Sequence, residues 1–513
     1  MTPAQAPEVM RIGQARLTAG LDRFGRIDLA THQEIFGTLR RLQAAPLIEL
    51  ADGVDLRGRG GAAFPFATKL RAVRTAAATR KCKPVILVNG SEGEPGSAKD
   101  AMLLLRSPYL VLSGALLAAR ALGARKIVVG VAEGGQAAAS VAAAARAEPQ
   151  LKSLVRVVEV PDRFVSGEGG AAVNGHTPLP PGRKRPASDS GVDGLPTLLS
   201  NAETFAQLAV LGLLGADGYA SAGTPGEPGT LLLTVGGSAA RPAVVEVPAG
   251  IPLGTVLDIC EARVQEGVLV GGYHGAWLPA ELAYDVPVSR AGLEAVGGAL
   301  GAGVVLPLGA GTCPLGEVAR VARYLAAESS GQCGPCKLGL PGVARALSAV
   351  VNGSGGMDAL ETTRRTAGTV RGRGACHHPD GTARFVLSAL ETFTTDLAAH
   401  VFRGGCGLRV RGVLPLPGAT AQPRLLVDWT RCAGHGLCSR LVPELVQLDR
   451  QGYPVFLDTP VPFWLERNAQ QAVAMCPALA LRVEPGTPLT APARSAIASP
   501  RTLVSGGGGV IQG

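Results

Sequence analysis

Short apolar runs alternate with longer helix-like segments between residues 85 and 160. The short runs are rich in valine and isoleucine, whereas the segments between them carry the leucine and alanine of packed helices. In chain order they are Val85–Val88, Pro108–Leu122, Lys126–Val131, Ala137–Ala147 and Val155–Val160. This β-α-β-α-β order predicts a parallel sheet with helices on its faces.

Beyond residue 225 the pattern changes to short strands and then to helical periodicity. We expect strands at Leu231–Val235 and Ala243–Val247, a short helix that includes Ile259–Val264, and helices at Glu317–Leu325, Val343–Val351 and Phe385–Val401. The sequence thus predicts a multidomain α/β protein. Its parts are an α/β domain at 1–225, a β-rich module at 228–300, a helical domain at 301–405, a linker at 406–423, a small α+β domain at 424–485 and a disordered tail at 486–513.

Composition narrows the class of protein. Hydrophobic residues make up 46% of the 513, but alanine supplies much of that share, and no stretch reaches the roughly 18 uncharged apolar residues of a membrane span. No apolar signal core follows the N-terminus, so we expect a cytoplasmic location and cysteines that act as ligands or buried thiols. The net charge of +9 suits phosphate-bearing cofactors. We expect no nucleic-acid partner, because the arginine-glycine runs are short.

Two cysteine groups have the spacing of iron–sulfur ligands, and each has another residue where a cysteine is expected. The first is Ser330, Cys333 and Cys336 with the distant Cys376, and the second is Cys432, His435 and Cys438 with Cys476 before proline. Since a C-x-x-C loop wraps one corner of a cluster and a remote residue closes it, we expect two clusters, each [4Fe-4S] or [3Fe-4S]. We interpret the other cysteines as buried thiols, with Cys313 or Cys406 as a less favoured substitute ligand; they are Cys82, Cys260, Cys313 and Cys406.

A glycine-rich loop at Arg57–Pro65 is followed by three polar, glycine-containing blocks. Glycines let the backbone approach phosphate closely, and arginine or lysine supplies the counter-charge. The blocks are Asn89–Asp100, Gly167–Gly170 and Pro196–Thr204. Together with the first cysteine group, and over about residues 30–400, they resemble the flavoprotein (NADH-binding) subunit family of respiratory complex I. The diaphorase subunits of NAD-linked hydrogenases and formate dehydrogenases belong to the same family.

The resemblance implies an FMN held by the glycine loop, with NAD(P)H over the flavin and no side chain as acid or base. The residues that would bind FMN are Gly58, Arg59, Gly60, Gly61, Lys69, Asn89, Ser91 and Asn201. Those on the nucleotide side would be Phe64, Glu92, Glu94 and Glu168, with Gly167 in the same block. It also implies a Rossmann-like FMN/NAD domain, a soluble-ligand-binding β-grasp module and a helical iron–sulfur domain.

The first cysteine group departs from the family motif C-x-x-C-x-x-C at Ser330. A serine oxygen is a harder ligand that lowers the cluster potential; if it does not bind, the site holds a three-iron cluster or is fragile. We interpret His377 and His378, beside Cys376, as hydrogen-bonding neighbours rather than ligands.

Two further departures lie in the flavin and nucleotide blocks. Ser91 stands where the family usually has aspartate, and Gly169-Gly170 stand where it usually has Glu-Thr. An acidic residue near the ribose repels a 2′-phosphate, so its absence leaves both NADH and NADPH as candidate substrates.

The segment Leu425–Val483 resembles a small bacterial single-cluster ferredoxin. The matching residues are Asp428, Cys432, His435, Cys438 and Cys476-Pro477. His435 would either bind iron through its imidazole or stand beside a three-iron cluster. A zinc site from the same cysteines and histidine is the alternative, which is less favoured because Cys-Pro before an apolar strand is a ferredoxin ending.

We therefore expect an FMN-dependent NAD(P)H dehydrogenase that passes electrons from NAD(P)H through FMN and two clusters to a ferredoxin-type exit and an external acceptor. The partners would be NAD(P)H and a redox protein or membrane-bound acceptor subunit, in the cytoplasm or at the periphery of a membrane complex. One alternative is an electron-input subunit of a hydrogenase, formate dehydrogenase or membrane oxidoreductase. The other is a non-enzymatic electron-transfer protein that has lost NAD(P)H binding.

Overall fold

The computed structural model describes residues 7–161, 163–164, 186–417, 423–456, 461–462 and 465–484. The described part contains a four-stranded sheet, a six-stranded sheet, a group of long helices and a small C-terminal unit. This confirms the mixed, multidomain α/β class. Within these residues no single helix has both the length and the hydropathy for a membrane span; Lys99–Arg106 and Pro108–Leu122 meet the criteria only together, across a 93° bend.

The four-stranded sheet is parallel throughout, as the alternating pattern predicts. Its strands are, in spatial order, Val155–Val160, Lys126–Ala132, Val85–Gly90 and Thr197–Asn201. Helices cover it: Leu29–Phe36, Ala44–Gly53, Phe66–Thr79, Lys99–Arg106, Pro108–Leu122, Ala137–Ala147, Pro149–Lys152 and Ala202–Ala220. Parallel strands are buried on both faces, which explains why the central ones read as nearly continuous apolar runs.

The two long helices Pro108–Leu122 and Ala202–Ala220 pack at close range. A Cβ added at Gly114 would lie 1.8 Å from the carbonyl oxygen of Phe205. Only glycine therefore permits this approach, which seats the second helix and fixes where its N-terminus lies relative to the sheet.

The six-stranded sheet is mixed, and its edge strand comes from the chain's beginning. In spatial order the strands are Glu8–Arg11, Ala243–Pro248, Thr230–Val235, Val304–Leu308, Gly267–Val270 and Ala276–Pro279. Short helices accompany them at Leu253–Ile259, Ala280–Ala283 and Arg290–Ala295. The predicted helix over Ile259–Val264 is wrong beyond its first residue, because Glu261 adopts a φ of +49° and turns the chain toward the next strand. The edge strand also crosses the predicted boundary at residue 225.

The helical part consists of five helices preceded or joined by short turns. They are Pro314–Ala327, Leu340–Val351, Gly356–Val370, His378–Thr392 and Thr394–Arg403, with a π-type turn at Pro335–Gly339. The single helix predicted over Phe385–Val401 is instead two helices, because Phe393 leaves the helical region with φ −97° and ψ 49°.

The predicted linker is partly fixed to this helical part. Cys313 N donates to Arg409 O at 3.1 Å, and the buried carboxylate of Glu317 accepts from the backbone of Gly412 at 2.6 Å and Val413 at 3.1 Å. Arg320 donates to the carbonyl oxygen of Leu414, which is fully buried.

The described residues of the C-terminal unit form two antiparallel strand pairs and two helices around a small apolar core of their own. The strands are Arg424–Val427 with Leu481–Glu484 and Val446–Leu448 with Pro454–Phe456, and the helices are Leu437–Leu441 and Glu466–Ala474. Val442 and Ala469 are completely buried in this core.

A further short antiparallel strand pair, Gly223–Thr224 with Glu227–Pro228, follows the last helix of the four-stranded sheet in sequence.

Candidate cofactor sites

Backbone pairing closes the glycine loop at its base and leaves its tip open. Gly58 N donates to Phe64 O at 3.0 Å, and Phe66 N donates to Leu56 O at 2.8 Å. Gly60 and Gly61 at the tip are exposed, and Gly61 has a φ of +103°. That conformation and the absence of side chains give an unobstructed backbone edge of the kind that phosphate groups and ring systems approach.

The loop lies against the N-terminus of the helix Ala202–Ala220. Arg59 N donates to Thr204 Oγ1 at 2.9 Å, and a Cβ on Gly60 would lie 3.3 Å from Asn201 Cβ. Asn201 caps the helix by accepting from Glu203 N at 3.0 Å. The loop is thus at the carboxyl end of a parallel sheet and beside a helix N-terminus, where open α/β sheets bind ligands and where anions are favoured.

A buried network of charged side chains around Lys99 contacts the side chain of Asn201. Lys99 Nζ lies 3.0 Å from Glu203 Oε2, 3.1 Å from Asp100 Oδ1 and 3.1 Å from Asn201 Oδ1. Burial opposes the charge of Lys99, but the two carboxylates hold its pKa above the usual range. The network fixes the amide of Asn201 at the floor of the site.

Asn89 and Ser91 follow the neighbouring strand and contact each other. Ser91 is buried, and its Oγ donates to Asn89 Oδ1 at 2.8 Å. The hydroxyl of Ser91 therefore orients the Asn89 amide. The position of Asn89 at a strand end predicts a binding residue, but the sequence does not predict its hydrogen bond with Ser91.

Lys69 and Phe64 form one wall of the loop. Lys69 Nζ donates to Leu199 O at 3.1 Å and lies 5.7 Å from the centre of the Phe64 ring. Burial lowers the pKa of Lys69. The Phe64 side chain is 47% exposed, so an aromatic face is available next to the glycine tip.

The side chains of Arg59 and Glu92 do not point to the open edge of the glycine loop. The Arg59 side chain turns inward beside Tyr219, Glu227 and Arg290, so the loop's open edge carries its backbone and not its guanidinium. Glu92 caps the helix Lys99–Arg106, because its carboxylate accepts from Asp100 N at 3.0 Å and Ala101 N at 2.8 Å.

Glu94 lies between the two sheets. Its Oε2 accepts from Tyr273 N at 2.8 Å, and Gly272 leaves room for it, since a Cβ there would be 2.5 Å from that oxygen. Burial raises the pKa of Glu94 to about 8. The loop Gly271–Gly275 was missed as part of the site, although its glycine pair after a strand is a signal of close backbone approach. Gly167, Glu168, Gly169 and Gly170 lie outside the described residues.

These residues fit a flavin mononucleotide. The site offers an exposed glycine edge whose backbone a phosphate or ring system can approach, and it lies beside the N-terminus of the helix Ala202–Ala220, where an anion is favoured.

The first cysteine group comes together in the helical part, at the π-type turn. Burial, together with the nearby Cys333 and Cys376, raises the pKa of Cys336 to about 12, against an opposing hydrogen bond with Ser330. Cys333, Cys376 and Ser330 thus lie near Cys336, and thiols with one hydroxyl are a donor set that fits an iron–sulfur cluster. Ser329 Oγ, one residue earlier, is buried without a partner in the described part.

The histidines beside Cys376 have separate environments. His378 is buried, and its ring nitrogens lie 2.8 Å from Leu325 O and 2.9 Å from His274 Nε2. Burial lowers its pKa to about 4. His378 is thus hydrogen-bonded to Leu325 and His274, whereas His377 is exposed and lies 3.6 Å from Asp380 Oδ2; their role beside the cysteine group stays a prediction.

The second cysteine group comes together in the C-terminal unit. Burial raises the pKa of Cys438, and nearby Cys432 and Cys476 raise it further. Cys476 Sγ accepts from Ala480 N at 3.4 Å, which ties the Cys-Pro turn to the last strand. His435 is exposed on the same loop, so its role as a ligand stays a prediction.

A group outside both predicted clusters also gathers metal-binding side chains. The ligand atoms of Cys313, Asp396, His400 and Cys406 all lie within 4.8 Å of one another. The interpretation of Cys313 and Cys406 as separate buried thiols missed this, because the two cysteines are far apart in sequence. The Asp396–His400 spacing, one helical turn, was the available signal.

Family models match three separate parts of the chain. A model described as the Nuo51 FMN-binding domain matches residues 52–210. One described as the NADH-ubiquinone oxidoreductase-F iron-sulfur binding region matches residues 316–400, and a 4Fe-4S single cluster domain matches residues 425–483.

Relatives and solved structures cover most of the chain. The NADH-quinone oxidoreductase F subunit of Mycobacterium tuberculosis is 28% identical over 387 residues, which is 70% of this chain and 85% of that protein. Its counterpart in Streptomyces coelicolor is 28% identical over 402 residues, 73% of this chain and 88% of that protein. The structure of an NAD+-reducing [NiFe]-hydrogenase in the air-oxidized state aligns with a TM-score of 0.66 at 26% identity, covering 80% of this chain and 70% of that one.

The fold and the three sites define a flavin-binding, iron–sulfur electron-transfer protein. The chain is similar over most of its length to NADH-quinone oxidoreductase F subunits, and three of its segments match models of an FMN-binding domain, an iron-sulfur binding region and a 4Fe-4S single cluster domain.

Proposed function

We propose that this chain is an NADH-oxidising, FMN-dependent electron-input subunit that delivers electrons to a partner through its iron–sulfur domains. The observation that carries the proposal is the open glycine loop at the carboxyl end of the parallel sheet, within the segment that matches an FMN-binding domain. The same chain continues into two iron–sulfur domains. Relatives are named as subunits of NADH-quinone oxidoreductase, which supports a partner subunit.

FMN, when bound, accepts electrons in pairs from a nicotinamide and gives them up singly, the conversion that iron–sulfur carriers require. The glycine backbone at residues 58–61 would hold it, with Asn89, Ser91, Asn201 and Lys69 at its polar edges. Phe64 and Glu94 would line the side where the nucleotide enters. The rigid Lys99 network keeps the floor of the site in place, so binding needs little reorganisation.

The cysteine groups would hold the one-electron carriers. Cys333, Cys336 and Cys376, with Ser330 as a fourth donor, would hold the cluster of the helical part. Cys432, Cys438 and Cys476, with His435 as a candidate, would hold that of the ferredoxin domain. The four-iron or three-iron composition of each, and the use of NADPH beside NADH, are further parts of the proposal.

The test uses full-length protein purified without oxygen. We expect the released flavin to be FMN and its absorbance to bleach when NADH is added. Gly60→Val should lose most of the FMN, because its side chain would fill the open edge against Asn201. Gly25→Ala is the matched control, since a Cβ at Gly25 meets nothing within 4 Å. FAD or no flavin in the wild type, or full FMN content in Gly60→Val, would contradict the proposal.

A further inference from the structure

Four side chains with metal-binding atoms meet where three segments of the helical part join. Cys313 precedes the helix Pro314–Ala327, Asp396 and His400 lie one turn apart on the helix Thr394–Arg403, and Cys406 follows that helix. Three of the four are buried and Cys406 is partly buried. We call them the Cys313 cluster.

The distances within the cluster are those of ligands around one small cation. Cys313 Sγ lies 3.2 Å from His400 Nε2 and 3.9 Å from Asp396 Oδ2, and His400 Nε2 lies 3.5 Å from Asp396 Oδ1. A tetrahedral site with bonds of about 2.0–2.3 Å has ligand–ligand edges of roughly 3.3–3.8 Å. The distances among Cys313, Asp396 and His400 are close to these edges, and Cys406 Sγ lies within 4.8 Å of the other ligand atoms, so small side-chain adjustments would place all four around one ion.

Backbone groups already orient the ligands. Gly316 N donates to Cys313 Sγ at 3.2 Å, and Leu315 N donates to Asp396 Oδ2 at 3.0 Å. Metal ligands are commonly held by such outer hydrogen bonds. His400 turns its Nε2 toward the thiol, and its Nδ1 has no partner in the described part of the chain.

We infer that a single Zn²⁺ ion binds the four side chains of Cys313, Asp396, His400 and Cys406. Two thiols favour a soft or borderline cation, whereas an imidazole and a carboxylate suit zinc. Because protein atoms fill all four positions, the site is of the structural type, without an open position for a substrate.

The ion would fasten the segment after the last helix to the rest of the helical part. This segment is already paired at Arg409 with Cys313 and at Gly412–Leu414 with Glu317 and Arg320. Cys406 is its first anchoring side chain after the helix. Zinc binding there would fix the point from which the chain leaves toward the ferredoxin domain.

The metal content of purified full-length protein tests the site. We expect roughly one zinc per chain beside the cluster iron, and a fall of roughly tenfold or more in Cys406→Ser and Asp396→Asn. Cys260→Ser changes a buried cysteine elsewhere and should leave both metals unchanged. Cys476→Ser should lower iron and leave zinc in place. No zinc in wild type grown with zinc, or zinc lost in Cys476→Ser instead, would overturn the assignment.

A second measurement needs no substitution. Cys406 in the zinc-loaded wild type should resist alkylation, and a zinc chelator that leaves the iron content unchanged should raise its labelling several-fold, as seen by peptide mass spectrometry. Equal labelling before and after the chelator would overturn the site. So would a disulfide between Cys313 and Cys406 in non-reduced peptide maps. Neither outcome depends on flavin reduction, so failure here is separate from failure of the proposed function.

Discussion

At the scale of single residues, the pKa of Glu94 is raised into the pH range in which enzyme assays are usually run. Its pKa is raised from the usual 4.5 to about 8 by burial. Between those values the folded carboxyl keeps its proton, whereas the unfolded one has lost it. Its contribution to stability is therefore greatest below about pH 4.5 and declines until about pH 8.

This shift predicts a pH dependence of nucleotide use. If the nucleotide lies on the Glu94 side of the site, as proposed, ionisation of Glu94 above about pH 8 would add a negative charge near its diphosphate; like charges about 4 Å apart repel by at least about 1 kcal/mol, or roughly five-fold in affinity. We expect KM for NADH to rise by about that factor above pH 8 and to stay flat in Glu94→Gln, with FMN retained. Glu281→Gln, at an exposed site, is the control; a rise that persists in Glu94→Gln would exclude this role.

Ser330 permits a second test on a single atom. Thiolate is a softer and better iron ligand than a hydroxyl, and Ser330 contacts Cys336. Ser330→Cys should therefore increase the four-iron signal of the reduced protein and its iron content. The adjacent Ser329→Cys is the matched control and should not. If Ser329→Cys gives the larger increase, the fourth donor has been assigned to the wrong serine.

At the scale of elements, the N-terminal strand is held by one carboxylate. Glu246 is fully buried, and it accepts from the backbone N–H groups of Leu17 at 2.8 Å and Thr18 at 2.9 Å and from the hydroxyl of Thr230 at 2.7 Å. The strand Glu8–Arg11 pairs with Ala243–Pro248, and the Glu246 side chain extends this pairing by hydrogen bonds to the residues that follow the edge strand.

Glu246→Gln should loosen this edge strand. The amide NH₂ of glutamine would face N–H and O–H donors that need an acceptor, and this should lower the free energy of unfolding by about 2–4 kcal/mol. Hydrogen exchange of strand Glu8–Arg11 should accelerate accordingly. The control is Glu8→Gln, which is on the same edge strand and removes only an exposed ion pair with Arg241. It should change the hydrogen exchange of the strand little. Unchanged exchange in Glu246→Gln would show that the strand pairing alone holds the edge.

The sequence predicts elements well where local pattern decides them. Ala137–Ala147 and Val155–Val160 have the predicted bounds, since apolar periodicity and flanking turns agree there. Lys99–Arg106 and Gly356–Val370 were not predicted, because the first is short and capped by the more distant Glu92, whereas the second is largely polar and depends on packing against other helices. The break at Phe393 has no glycine or proline to mark it.

The candidate sites follow the same division. Glycine loops and C-x-x-C spacings are local, so the sequence could indicate the glycine loop at residues 58–61 and the neighbouring Cys333 and Cys336, whereas the side chains of Arg59 and Glu92 have other partners. The contacts of Glu94 with Tyr273 and of Cys313 with His400 join segments far apart in the chain, and no local spacing reveals them.

At the scale of the whole molecule, the ferredoxin domain has its own core and lies beyond the other family motifs. Removing residues 424–513 should leave flavin reduction by NADH intact and lower reduction of a one-electron haem protein severalfold. A small dye serves as the control and should be reduced equally by both forms. Equal rates toward the haem protein would place the exit elsewhere.

The anchoring of Leu414 sets how far that domain can travel. From Leu414 to Arg424 there are ten residues (424 − 414), and a chain of that length spans at most about 35 Å. A domain on so short a tether has an effective concentration on the order of millimolar at its own helical part. Electron transfer within the chain, as proposed, would therefore not slow as the protein is diluted, whereas a detached domain would match its rate only at comparable concentrations.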